Sequence, residues 1–166
     1  MVNVVLRRCI SLWRGIMSSP VLTLNGWIAF NVPRTVTALG GLLLTGLVAA
    51  HGYAFTAEPD LPVYFAVYSA TLTAGCLIAA GAMVFGLKPV VPRVGWYLGS
   101  LICLAFLVIY LLSRAVTLPG LEALTGRWDV AAGTLAMTFA AAFIVVHTTV
   151  LSGINVAYPQ RQQWYD

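Results

Sequence analysis

Four long runs without a formal charge set the terms for this chain: residues 35–57, 61–87, 94–113 and 130–155. A helix rising 1.5 Å per residue needs roughly 20 apolar residues to cross about 30 Å of hydrocarbon. Each run meets that length. The segments between them, 58–60, 88–93 and 114–129, carry proline, glycine and charge, which suits turns outside the hydrocarbon.

Composition agrees. Soluble domains carry about 25% charged residues, whereas only 8% of these 166 residues are charged and 60% are hydrophobic. Nine basic and five acidic side chains cannot clothe a water-facing surface over this apolar mass. A soluble enzyme, a nucleic-acid module and a disordered tail are thereby excluded. The fold expected is all-α: a polytopic membrane four-helix bundle preceded by an N-terminal interfacial amphipathic helix. Three parts follow: residues 1–34 at the membrane surface, a four-span bundle over 35–157, and a tail over 158–166.

Basic residues assign the orientation, because cytoplasmic loops collect Lys and Arg. Arg7, Arg8, Arg14, Arg34, Lys88, Arg93 and Arg161 fall on one side, and only Arg114 and Arg127 on the other. Both termini are therefore expected in the cytoplasm, in a bacterial inner membrane. Trp27, Trp96, Trp128 and Trp164 lie near span boundaries, where the indole ring is expected to anchor at the headgroups. In the first segment Arg7, Arg8 and Arg14 recur on one helical face and Trp13 with aliphatics on the other. Such a helix lies in the interface against anionic lipid.

Without a hydrophobic drive in lipid, helices associate through small residues that let backbones approach. The first span offers Gly41, Thr45 and Ala49 after Thr37, and the second offers Ala70 and Ala74 after Ala66. Gly95 and Gly99 mark the third, and Ala132, Ala136 and Ala140 the fourth. These stripes are expected to seal an intramolecular bundle, with part of the surface left for other copies or for partner spans.

Chemistry is sparse. No Asp, Glu, Lys or Arg falls within a run, which argues against a proton-coupled transporter, an ion pump or an intramembrane aspartyl protease. HExxH and GxSxG motifs are missing, and Cys9, Cys76 and Cys103 have no metal-ligand spacing. No catalytic residue, metal site or bound cofactor is expected. His51 and His147 are the two histidines. Counted along their helices they lie about 9 Å and about 25 Å from the same boundary, too far apart to ligate one haem iron. His51 alone is left as a weak cofactor-binding candidate, for a quinone or as a single ligand.

The function expected is non-enzymatic: a small integral membrane protein acting through helix–helix association, as an accessory or assembly subunit of a larger bacterial inner-membrane complex. Its partners are the lipid bilayer and other transmembrane helices, and not nucleic acid. A self-oligomerising, membrane-permeabilising protein of the phage holin or depolarising exclusion type is the alternative. A quinone- or haem-linked redox subunit is the third.

Overall fold

A computed structural model describes residues 32–57, 62–85, 88, 90–117, 119–120, 122, 125–128 and 130–157. Among these, four helices make up the fold: α1 (Pro33–Ala57), α2 (Val63–Phe85), α3 (Val90–Ala115) and α4 (Ala131–Leu151). All four are long and apolar enough to cross a membrane. Arg7, Arg8, Trp13 and Arg14, expected at the membrane surface, lie outside the described residues with Trp27, Arg161 and Trp164.

The helices form a ring in which α1 packs on α2 and α4, and α3 on α2 and α4. Short connections make sequential neighbours antiparallel, as in an up-down bundle. The inward face follows a three-and-four-residue rhythm. In α2 it reads Ser69, Leu72, Cys76, Ala79 and Met83; in α4 it reads Ala136, Ala140, Phe143 and His147. This spacing keeps one seam facing its neighbour along the helix. Large apolar side chains also cover the outside, among them Leu42, Val67, Ile78, Leu101 and Val145. That exterior matches hydrocarbon.

Helix boundaries differ from the apolar runs in instructive ways. The first helix begins at Pro33, two residues before the run, because proline suits a first helical turn, where its missing N–H costs no hydrogen bond. The third helix starts a turn before its run and ends two residues after it, and so takes in Arg93 and Arg114. The fourth stops at Leu151: Ser152 donates its N–H to the Thr148 carbonyl, and Gly153 takes φ +78°. That turn folds Val156 and Ala157 back into buried positions.

Two of the four small-residue stripes seal the bundle. A Cβ on Gly99 would come within 2.6 Å of Phe143, and one on Gly95 within 2.9 Å of the Ala79 carbonyl oxygen. Ala136 and Ala140 are buried, and Ala132 is half-buried. The other two stripes face outward. Thr45, Ala49, Ala70 and Ala74 are exposed, and a Cβ on Gly41 would meet no atom within 4 Å. On α1 the close approach comes instead from Gly40, one residue earlier, under Trp96 and Met83. Trp96 is consequently a core residue, 3% exposed and stacked on Phe143, and not the membrane-edge anchor its position suggests.

Candidate ligand-binding site

The α3–α4 connection folds over one end of the bundle. Its glycines allow the turns: Gly120 and Gly126 both take φ +75°, a left-handed conformation that costs other residues about 1–2 kcal/mol. Gly126 donates its N–H to the Arg114 carbonyl at 3.0 Å, capping α3. Gly120 donates to a Glu122 carboxylate oxygen at 2.9 Å, which holds that carboxyl below its ordinary pKa. Tyr64, at the start of α2, donates its hydroxyl to the Pro119 carbonyl at 2.7 Å. The connection is thus tied to α2 as well as to α3.

Beneath it the helices enclose a cavity of about 270 Å³. Two layers of side chains line it. The deeper layer holds His51 from α1, Tyr68 from α2, Phe106 from α3 and Ala136 from α4. The layer nearer the connection holds Tyr64, Tyr110, Arg114 and Gly133. Phe106, Tyr110 and Arg114 stand four residues apart on one face of α3, so each reaches the cavity about 6 Å beyond the last.

Arg114 corrects the expectation that no charge enters a span. It stands in the last turn of α3, is 6% exposed, and places its guanidinium carbon 4.8 Å from the Tyr110 ring centroid. A cation on an aromatic face at the C-terminal end of a helix is doubly favourable: the ring quadrupole and the helix dipole both attract it. The apolar run ends at Ser113, but the helix continues because the next turn still packs on α4, with Gly133 making room for Tyr110 and Arg114.

His51 is 7% exposed and forms an edge contact with Phe106 at 5.2 Å. Its Nδ1 lies 3.1 Å from the Leu47 carbonyl oxygen. A carbonyl only accepts, so Nδ1 carries the hydrogen and the neutral ring presents Nε2 as an acceptor. Nearby, the buried hydroxyls of Tyr68 and Tyr110 have no hydrogen-bond partner among the described residues. A buried phenol left in that state costs roughly 1–3 kcal/mol. Both tyrosines line the cavity.

No protein-family model, characterised protein or solved structure matches this chain. Any functional reading therefore rests on its own geometry.

His147 belongs to a different level of the bundle. Its Nδ1 is hydrogen-bonded to the Ser100 hydroxyl, and its ring stacks on Trp96 at 5.5 Å with Tyr97 edge-on at 5.1 Å. Along α3 these contacts precede Phe106 by six to ten residues, about 9–15 Å. The two histidines share no site. Among the described residues no group of three His, Cys, Asp or Glu side chains is placed to hold a metal ion.

Most span hydroxyls bond back to their own helix. Thr45, Thr71, Thr138 and Thr148 each donate to the carbonyl four residues earlier. They are thereby satisfied without water. Sequence reasoning singled out His51, counted Tyr110 only as one span hydroxyl among several, and missed Tyr68 and Arg114. The available signal was the Tyr110–Arg114 spacing, a four-residue step that continues the Phe106 face just where the charge-free run stops.

Proposed function

We propose that this protein is a membrane-embedded binding subunit that holds a small lipophilic molecule in the end of its helical bundle. The cavity carries this reading. It is walled by aromatic and aliphatic groups, with a few polar groups converging on it, which is the usual make-up of a ligand site. Among the described residues its lining is mostly aromatic and aliphatic, with His51, three tyrosines, Ser113 and Arg114 as the polar groups. By the basic-residue bias the cavity end, which bears Arg114 and Arg127, is the outer one, in a bacterial inner membrane. Arg34, Lys88 and Arg93 then mark the cytoplasmic end.

The test is extraction. Protein purified in mild detergent, washed and extracted into organic solvent should release one lipophilic compound near one equivalent, identified by mass spectrometry. Bulk phospholipid alone, in the proportions of the host membrane, would overturn the reading.

A second reading has its own observation. The outward stripes at Gly41, Thr45 and Ala49 on α1 and at Ala70 and Ala74 on α2 offer smooth faces for a partner span, as expected of an accessory subunit or of a self-oligomerising protein. Gly41→Leu has open space in the bundle, so it should leave the fold intact and release any partner that co-purifies. Unchanged co-purification would count against that face. The permeabilising alternative gains less support, because the threonines that would line a wet path are bonded to their own helices.

A further inference from the structure

The polar groups of the cavity form two poles. At the deeper one, His51 and Tyr68 face each other with ring centroids 6.0 Å apart. At the other stands Tyr110, one helical turn beyond Phe106, about 6 Å along the bundle. Aromatic rings lie between and around them: Phe106 is 5.2 Å from the His51 ring and 5.8 Å from the Tyr110 ring. Among the described residues the buried hydroxyls of Tyr68 and Tyr110 have no hydrogen-bond partner, and Tyr110 as a residue is 7% exposed.

These groups define what a ligand must offer. Two phenols that donate call for acceptor oxygens at both poles. With Nδ1 bonded to the Leu47 carbonyl, Nε2 of a neutral His51 ring is an acceptor and calls for a donor at the deeper pole. A carboxylate or phosphate supplies acceptors only and would set a lone pair against Nε2. Arg114 also lines the cavity with its guanidinium over the Tyr110 ring, and its charge favours an acidic headgroup at that pole, so an acceptor-only amphiphile is the competitor that the test must include. A flat ring with an oxygen at each end, at least one bearing a hydrogen, satisfies all three groups and stacks among aromatic walls.

We propose that the cavity binds the head of a membrane quinol or quinone, with Tyr68 and Tyr110 donating to its two ring oxygens and His51 accepting from the hydroxyl of the reduced form. This rests on the ligand-holding reading and names its ligand class. The quinol satisfies all three protein groups but leaves the hydrogen of its second hydroxyl, at the Tyr110 pole, without an acceptor among them; the quinone leaves Nε2 without a donor. Both forms are therefore expected to bind. The proposal concerns binding, and electron transfer is no part of it.

The test uses the full chain in phosphatidylcholine nanodiscs, titrated with decylubiquinol, decylubiquinone and, as an acceptor-only amphiphile, oleate. Binding is read from fluorescence changes at Trp128, which lies edge-on to Tyr110 at 6.4 Å, and from thermal stabilisation. The quinol and the quinone should both bind more tightly than oleate. Tyr68→Phe and Tyr110→Phe keep the rings and remove one donor each, so each should raise the quinol dissociation constant about fivefold, a typical net hydrogen-bond contribution. Quinol binding unchanged in the double variant, or oleate binding as tightly as the quinol, overturns the assignment. So does release of a different lipophile on extraction, which leaves the ligand-holding reading standing; release of no compound beyond bulk lipid overturns both.

Discussion

Gly95→Leu is expected to push α2 and α3 apart and to destabilise the bundle by about 3 kcal/mol or more. The size follows from what the new side chain meets. A Cβ at Gly95 stands 2.9 Å from the Ala79 carbonyl oxygen and 3.0 Å from the Met83 backbone nitrogen. Side chains escape such crowding by changing rotamer, but a helix backbone moves only as a whole. Overpacking where neighbours yield costs about 1–3 kcal/mol, and here the obstacle is rigid. The displacement would pass to Trp96, next in sequence to Gly95, and through it to Phe143 and His147. A thermal melt in detergent checks the size, with Gly81→Ala as the control. Gly81 is also in α2, but its Cβ would enter open space, and Gly→Ala within a helix is worth about 0.5–1 kcal/mol of added stability. A Gly95→Leu protein melting with the parent would mean that the α2–α3 contact is looser than its geometry.

That contact was legible in the sequence, and its counterparts on α1 and α2 were not. The difference lies in the solvent. In water an inward face is apolar and an outward one polar, but a helix in lipid is apolar all round, and Leu42 or Ile78 outside looks like Leu44 or Leu72 inside. Small residues are then the only pattern, and they recur on both sides. Gly40 and Gly41 differ only in that Trp96 and Met83 lie over the first. Which of two adjacent glycines faces in is set by the large residue opposite. That pairing is tertiary.

The site was half legible for a related reason. His51 stands out because imidazole is rare in hydrocarbon and calls for a partner. Tyr68 counts toward an apolar run, so its hydroxyl vanishes into the pattern that identifies the span, and Tyr110 reads as one more span hydroxyl that can bond its own helix. Arg114 falls one residue beyond the charge-free run, and a boundary drawn by charge excludes it by construction. The helix itself ends by other criteria: Gly126 caps it from the connection, and Tyr110 and Gly133 give the guanidinium a place to lie. Charge scarcity thus locates the spans well and their functional ends poorly.

The second large effect belongs to the cavity. Ala136→Phe should abolish retention of the lipophilic ligand, by about 100-fold or more, while the bundle stays folded. Ala136 is 2% exposed and lines the cavity from α4, so a phenyl ring there occupies ligand space. In a filled core the same change would cost about 1–3 kcal/mol. Here the space exists already. A cavity that nothing fills forgoes packing contacts with its lining. Protein atoms recover part of that, so the variant without ligand should melt no lower than the parent without ligand. A bound ligand stabilises the parent by mass action, and the variant should lose that response. Ala50→Leu, which fills the same cavity from α1, provides a second route should the phenyl ring distort α4. Parent-like ligand content in both variants, with both folded, would show that the retained molecule sits elsewhere on the bundle.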